Sequence, residues 1–329
     1  MLVKRSPDTA VDDMSKNKLH QTPLAATIAK GQMQAPTDLS SSELLTQASD
    51  TRLEPRDGST LHYATLRMNP DARARLLCTI SLTNAISSSL IGVQDAPVAQ
   101  TKLQWWNDEI GRLAHDEPRH PDTKRCTAWL GNSASSQSLL TDILDAATAE
   151  RFDAPTDDDG WSELVRRDYS ARLNLAHKAL SNNNPPNMEA LAESAAWIDI
   201  LRTLPSRMHH DQVAFPASLY KRFDSSRENL QKLIRVEGRS AANQENPIDG
   251  GMSALIQAAV LEAITATDAA LESDAYQTLR SESDTRALSI WFQLRRAQLM
   301  LWKNESPNLL RETMTLTPLK KWFIAFRFR

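Results

Sequence analysis

The sequence predicts an all-α chain, a bundle of about eight to ten helices, and three observations carry that expectation. Only 9 of the 329 residues are Gly, while Leu, Ala, Arg and Glu, which lose little freedom in a helix, recur throughout. Apolar residues return at three- and four-residue spacing, and the Val/Ile/aromatic alternation of strands is scarce. Clusters of Pro and Asn punctuate the chain at intervals that suit helices, and no segment repeats at a fixed period.

Residues 1–55 are polar, rich in Ser, Thr, Gln and Asp, and nearly charge-balanced, so they read as a disordered extension. A helical domain follows over 56–310. After Leu61–Leu66, Pro70 and Asp71 start a helix over Ala72–Ile91 with Leu76, Leu77, Ile80 and Asn84 at helical spacing. Pro97 opens a helix over Val98–Ala114 carrying Leu103, Trp106, Ile110 and Leu113 on one stripe, and Pro118 and Pro121 interrupt the chain behind it. Leu139, Leu140, Ile143, Leu144 and Ala147 mark the next helix. Asp157, Asp158 and Asp159 then precede one carrying Trp161, Val165, Tyr169, Ala176 and Leu180. Exposed amides at a helix start favour negative charge, so the three acids read as an N-cap. A loop at 182–186 leads into a helix from Met188 to about Leu204, where Pro205 ends it. A Gly/Pro/Asn segment at 243–251 separates off a last region, with helices over Met252–Arg280 and Ser283–Lys303 and then a tail at 311–329.

Net charge is −3, from 38 Lys and Arg against 41 Asp and Glu, which supplies no basic field for nucleic acid. The two cysteines, Cys78 and Cys126, are too few for a disulfide framework and lie in helical segments. They read as reduced core residues, which points to a cytoplasmic chain. No run approaches the roughly 18 consecutive apolar residues of a membrane span, and the N-terminus lacks the apolar stretch of a secretory signal.

Several constellations have a plain reading beside a functional one. Trp105-Trp106 reads as a core anchor. Asp142 and Asp145 read as a solvated helix face. His209-His210-Asp211 suggests a metal, but adjacent side chains diverge and no further ligands stand at recognisable spacing. Ser87-Ser88-Ser89 has no nucleophile-elbow sequence around it, so small residues letting two helices approach is the simpler account. The tail is less ordinary. Lys320-Lys321-Trp322-Phe323-Ile324-Ala325-Phe326-Arg327-Phe328-Arg329 combines four cations and four aromatics with no acid. That mixture suits either the surface of an anionic membrane, at its inner face, or a final element tucked onto the domain.

Two stretches carry a family resemblance: Leu103-Gln104-Trp105-Trp106-Asn107-Asp108-Glu109-Ile110, and Trp197 through Ile200-Leu201-Arg202 to Val213-Ala214-Phe215-Pro216. They resemble the squalene and phytoene synthases, head-to-head prenyl transferases, and the likeness covers roughly residues 60–305. It implies a terpenoid-synthase-like bundle around a central cavity. It also implies that a prenyl diphosphate is ionised there by Mg²⁺, held by an Asp-x-x-x-Asp pattern on each of two helices. Hard Mg²⁺ needs such carboxylates to neutralise the departing pyrophosphate.

At both expected places the aspartates are missing. The first motif falls near Ser87 to Ile91, and no acid stands between Asp71 and Asp95. The second, usually Asn-Ile-Leu-Arg-Asp with further acids, reads Asp199-Ile200-Leu201-Arg202-Thr203-Leu204-Pro205-Ser206-Arg207, with Thr203 and Arg207 at the carboxylate positions. The text is most similar to a degenerate branch of the family that includes a mitochondrial complex I assembly factor. The expectation is therefore a protein that has lost both metal motifs and binds an isoprenoid-like lipid or a protein partner without cofactor, with a role in respiratory-complex assembly implied by the resemblance. Its cavity residues are expected to be Asn84, Ser87, Ser88, Ile91, Asp199, Arg202, Thr203 and Arg207. The alternative is an active prenyl transferase using Mg²⁺ through displaced ligands. Carboxylates lining the cavity would separate the two.

Overall fold

The computed structural model describes residues 58–232, 250–305, 309 and 314–328. The expected extension over 1–55, most of the 243–251 segment and Arg329 lie outside the described residues. Among the described residues every regular element is helical: α1 (Thr60–Thr65), α2 (Pro70–Ser87), α3 (Ala96–Ala114), α4 (Pro121–Leu130), α5 (Ala134–Phe152), α6 (Asp158–Leu180), α7 (Glu189–His209), α8 (Ala217–Arg222), α9 (Gly250–Glu272), α10 (Asp274–Ser281), α11 (Arg286–Glu305) and α12 (Pro318–Arg327). The total exceeds the eight to ten expected because α1 and α8 are too short to show a period, and because one anticipated helix is two. Ser273 ends α9 and caps α10: its hydroxyl donates to the Ala270 carbonyl at 2.6 Å and accepts from the Tyr276 amide at 3.2 Å.

Caps fix most starts where the sequence placed them. Asn69 accepts from the Asp71 amide with Pro70 in the first turn of α2, and Asp157 accepts from the Gly160 amide at 2.8 Å to open α6. Two ends differ. α2 stops at Ser87, four residues early, so Ile91 sits in the following turn. The Ser87 hydroxyl donates to the Asn84 carbonyl at 3.2 Å, competing with the helix ladder, and Gly92 turns the chain at φ +72°. α7 runs through Pro205 to His209. Proline leaves the Leu201 carbonyl without its helical donor, but fully buried Leu204 and Met208 hold the helix to the core on either side.

α7 is the central helix, packed along α6 on one side and α9 on the other; α9 in turn packs on α11, while α2, α4 and α5 gather around α6 and α3 packs on α4 and α5. Around α7, Trp197, Leu201 and Leu204 meet Leu255, Ile256 and Val260 of α9 and Trp302 of α11. On the other side Leu82, Ile86, Trp106, Ile110, Leu113, Leu140 and Leu144 form a second centre with the cysteines. Trp106 is buried while Trp105 stands half-exposed, edge-on to it at 5.1 Å. Both cysteines are free and buried, and burial pushes the Cys78 thiol up to about 11. α9 is the one described helix long and apolar enough to cross a membrane, and its inner face belongs to the bundle core.

Candidate functional site

A polar network fills the space between α2, α6, α7 and α11. It starts with three residues of one α6 turn. Asp168 and Arg172, four apart, form a two-pronged ion pair at 2.7 Å on each prong, and the Arg172 guanidinium lies 5.1 Å from the centre of the Tyr169 ring. Arg172 also reaches across to α2, where it donates to the Asn84 side-chain carbonyl at 3.2 Å. The Tyr169 hydroxyl donates to Asp199 of α7 at 2.9 Å.

Asp199 is the hub. Its other oxygen accepts from Arg202, three residues on, and its backbone carbonyl accepts from the Thr203 hydroxyl at 2.6 Å. Burial works against the carboxylate, but the charge and hydrogen bond of Arg202, with Arg172 and Arg207 nearby, hold the Asp199 carboxyl down to about 2. Burial pushes the Tyr169 hydroxyl far up, and the Asp199 charge adds to it. One turn later Arg207 donates to the Val213 carbonyl at 2.9 Å and pairs with Glu150 of α5; the same carboxylate accepts from the Gln212 amide at 3.0 Å and the Val213 backbone at 3.2 Å.

Three carboxylates, Asp168, Asp199 and Glu150, are thus each claimed by an arginine. A fourth arginine is left over. Arg295 of α11 has its guanidinium 5.2 Å from the centre of the Trp291 ring and donates to the Gln298 side chain at 2.8 Å, while its Nε is buried with no partner. Burial, and then the charge of Arg202, pull Arg295 down to about 10. An arginine keeps its charge there, so its buried Nε is a donor without a partner.

Beside this network opens a cavity of about 1370 Å³, with Ser87 at the end of α2 and Leu90 and Ile91 after it on one wall, and Pro205, His209 and His210 at the α7 end on the other. Its acids are Glu150 and Asp211, the first paired with Arg207 and the second with Arg227 at 2.8 Å. Of the residues expected from sequence, Ser87 and Ile91 line this cavity; Asn84, Asp199, Arg202 and Thr203 belong to the network, and Arg207 joins the two through Glu150. Ser88 caps α2 and lines neither. Among the described residues no three His, Cys, Asp or Glu side chains gather as metal ligands, His209 and His210 included. This donor set does not suit Mg²⁺, because each nearby carboxylate already neutralises a guanidinium.

Asp168, Tyr169, Arg172, Glu150 and Arg295 were not expected from sequence. The i, i+4 spacing of Asp168 and Arg172 was a legible signal for a pair, whereas no local pattern marked Arg295.

The fold is that of the all-α, terpenoid-synthase-like proteins. A crystal structure of a dehydrosqualene synthase in complex with ligand superposes at a TM-score of 0.65 and 12% identity, covering 88% of this chain and 96% of that one. The sequence profile of the squalene/phytoene synthases matches residues 55–280, and the chain belongs to that family. No curated protein sequence matches it.

Proposed function

We propose that this is a non-catalytic member of the family, which binds an isoprenoid-like ligand with its anionic head at the polar network beside the cavity and needs no metal to do so. The observation that carries this reading is the pairing of charges. Every carboxylate near the two motif positions is engaged by an arginine, and Arg295 remains as the cation an anion could satisfy. Ionising a diphosphate needs divalent cations at the leaving group, whereas holding one needs only donors of opposite charge. The likeness of the second stretch to the degenerate branch supports the same reading, and a place in respiratory-complex assembly belongs with it.

The test is incubation of the purified chain with farnesyl and geranylgeranyl diphosphate and Mg²⁺, with product analysis. No pyrophosphate release is expected, and chelator-sensitive turnover would overturn the proposal. In chelator alone, farnesyl diphosphate should still bind, and Arg295→Met should weaken it at least tenfold, the scale of one charge-assisted contact. Equal binding by the variant would remove Arg295 from the site.

A further inference from the structure

The outer face of α12 is the most apolar exposed surface among the described residues. Leu319, Trp322, Phe323 and Phe326 are 76%, 43%, 58% and 42% exposed, and Leu66, in the turn after α1, is 46% exposed. Trp322 and Phe326 stack at 5.2 Å, and the Arg67 guanidinium lies 4.9 Å from the centre of the Phe326 ring, so turn and helix form one patch. Exposed Lys320, Arg327 and Arg67 border it, and neither 58–70 nor 314–328 contains an acid. Lys321 does not belong to this ring of cations. It is 4% exposed and points inward, donating to the Gly58 carbonyl at 2.6 Å, so that α12 is pinned with its aromatic face outward.

We propose that this face docks on an anionic lipid bilayer, with α12 lying in the plane of the interface. Rings of Trp and Phe favour the headgroup boundary, and exposed cations beside them meet anionic headgroups, so one surface satisfies both halves of the patch. A second copy of the chain would bring the same cations against each other, and a core of cations and rings with no acid lacks the complement a protein face of the same kind would need. The attraction comes from Lys320, Arg327 and Arg67, and the aromatic insertion gives it a part that salt does not remove.

Co-sedimentation of the full chain with phosphatidylcholine vesicles, with and without phosphatidylglycerol, tests this. Wild-type protein should pellet with the anionic vesicles, about tenfold less with the neutral ones, and less but still measurably in high salt. The double variant Leu319→Glu/Phe323→Glu changes only exposed side chains, so its circular dichroism should be unchanged while its binding falls at least tenfold; Lys320→Glu/Arg327→Glu should lose the preference for anionic lipid. Wild-type protein staying in the supernatant, or Leu319→Glu/Phe323→Glu pelleting like wild type, overturns the proposal. So does a vesicle-free dimer that this variant splits, which would make the patch an interface between copies.

Discussion

At the scale of single residues, the site is a balance sheet of guanidinium and carboxylate, and its signs give definite pH behaviour. Asp199 sits near 2 in the fold against an ordinary 3.8. A depressed carboxyl contributes stability above its unfolded value, and loses it as pH falls from about 4 towards 2. Its side chain is 31% exposed, so solvent screening reduces the contribution to about 1 to 2 kcal/mol. Urea unfolding of wild type and Asp199→Asn should therefore differ most above pH 4, and the gap should close as pH approaches 2. Glu150 is a second test. Its carboxylate accepts from Arg207, Gln212 and the Val213 amide, and Glu150→Ala would strand the Arg207 cation, whose side chain is 14% exposed. A loss of about 2 to 3 kcal/mol in denaturant titration is expected. These residues were only partly legible in the sequence. Asp199 and Arg207 stood out against the family text, and Arg202 is only three residues from Asp199, but Tyr169 and Glu150 lie far away along the chain, on α6 and α5. Only the packing of those helices brings them to Asp199 and Arg207.

At the scale of elements, helix starts were readable and helix ends less so. Pro70-Asp71 and Asp157 announce their helices because a helix start is a local device, decided by one or two side chains and the amides two or three residues on. Ends depend on competition. Pro205 was expected to stop α7, yet buried Leu204 and Met208 outweigh one missing hydrogen bond. α2 was expected to reach Ile91, and the turn at Gly92 prevents it. That turn is testable: Gly92 has φ +72°, and a Cβ there would lie 3.3 Å from His210 Nδ1. Gly92→Ala should cost about 1 to 2 kcal/mol from the left-handed backbone alone, read as a lowered urea midpoint. Restored stability in Gly92→Asn, which tolerates that region better, would assign the loss to the backbone and not to His210.

At the scale of the whole molecule, the all-α architecture was legible from composition and period, and its particular arrangement from two short stretches of family text. What those stretches could not show is that α12 folds back on α1 and α11, because ten residues of cations and rings suit a free tail as well as a docked helix. The inward turn of Lys321 decides it. That contact joins positions 263 residues apart in sequence. In time, this separation imposes an order of events. As the chain leaves the ribosome, α1 through α11 are available to one another before α12 exists, so the face it covers stays open until nearly everything else has assembled. Closing a loop of that length is also slow compared with the formation of any single helix. A nascent chain therefore presents the faces of α1 and α11 that α12 covers before α12 can reach them.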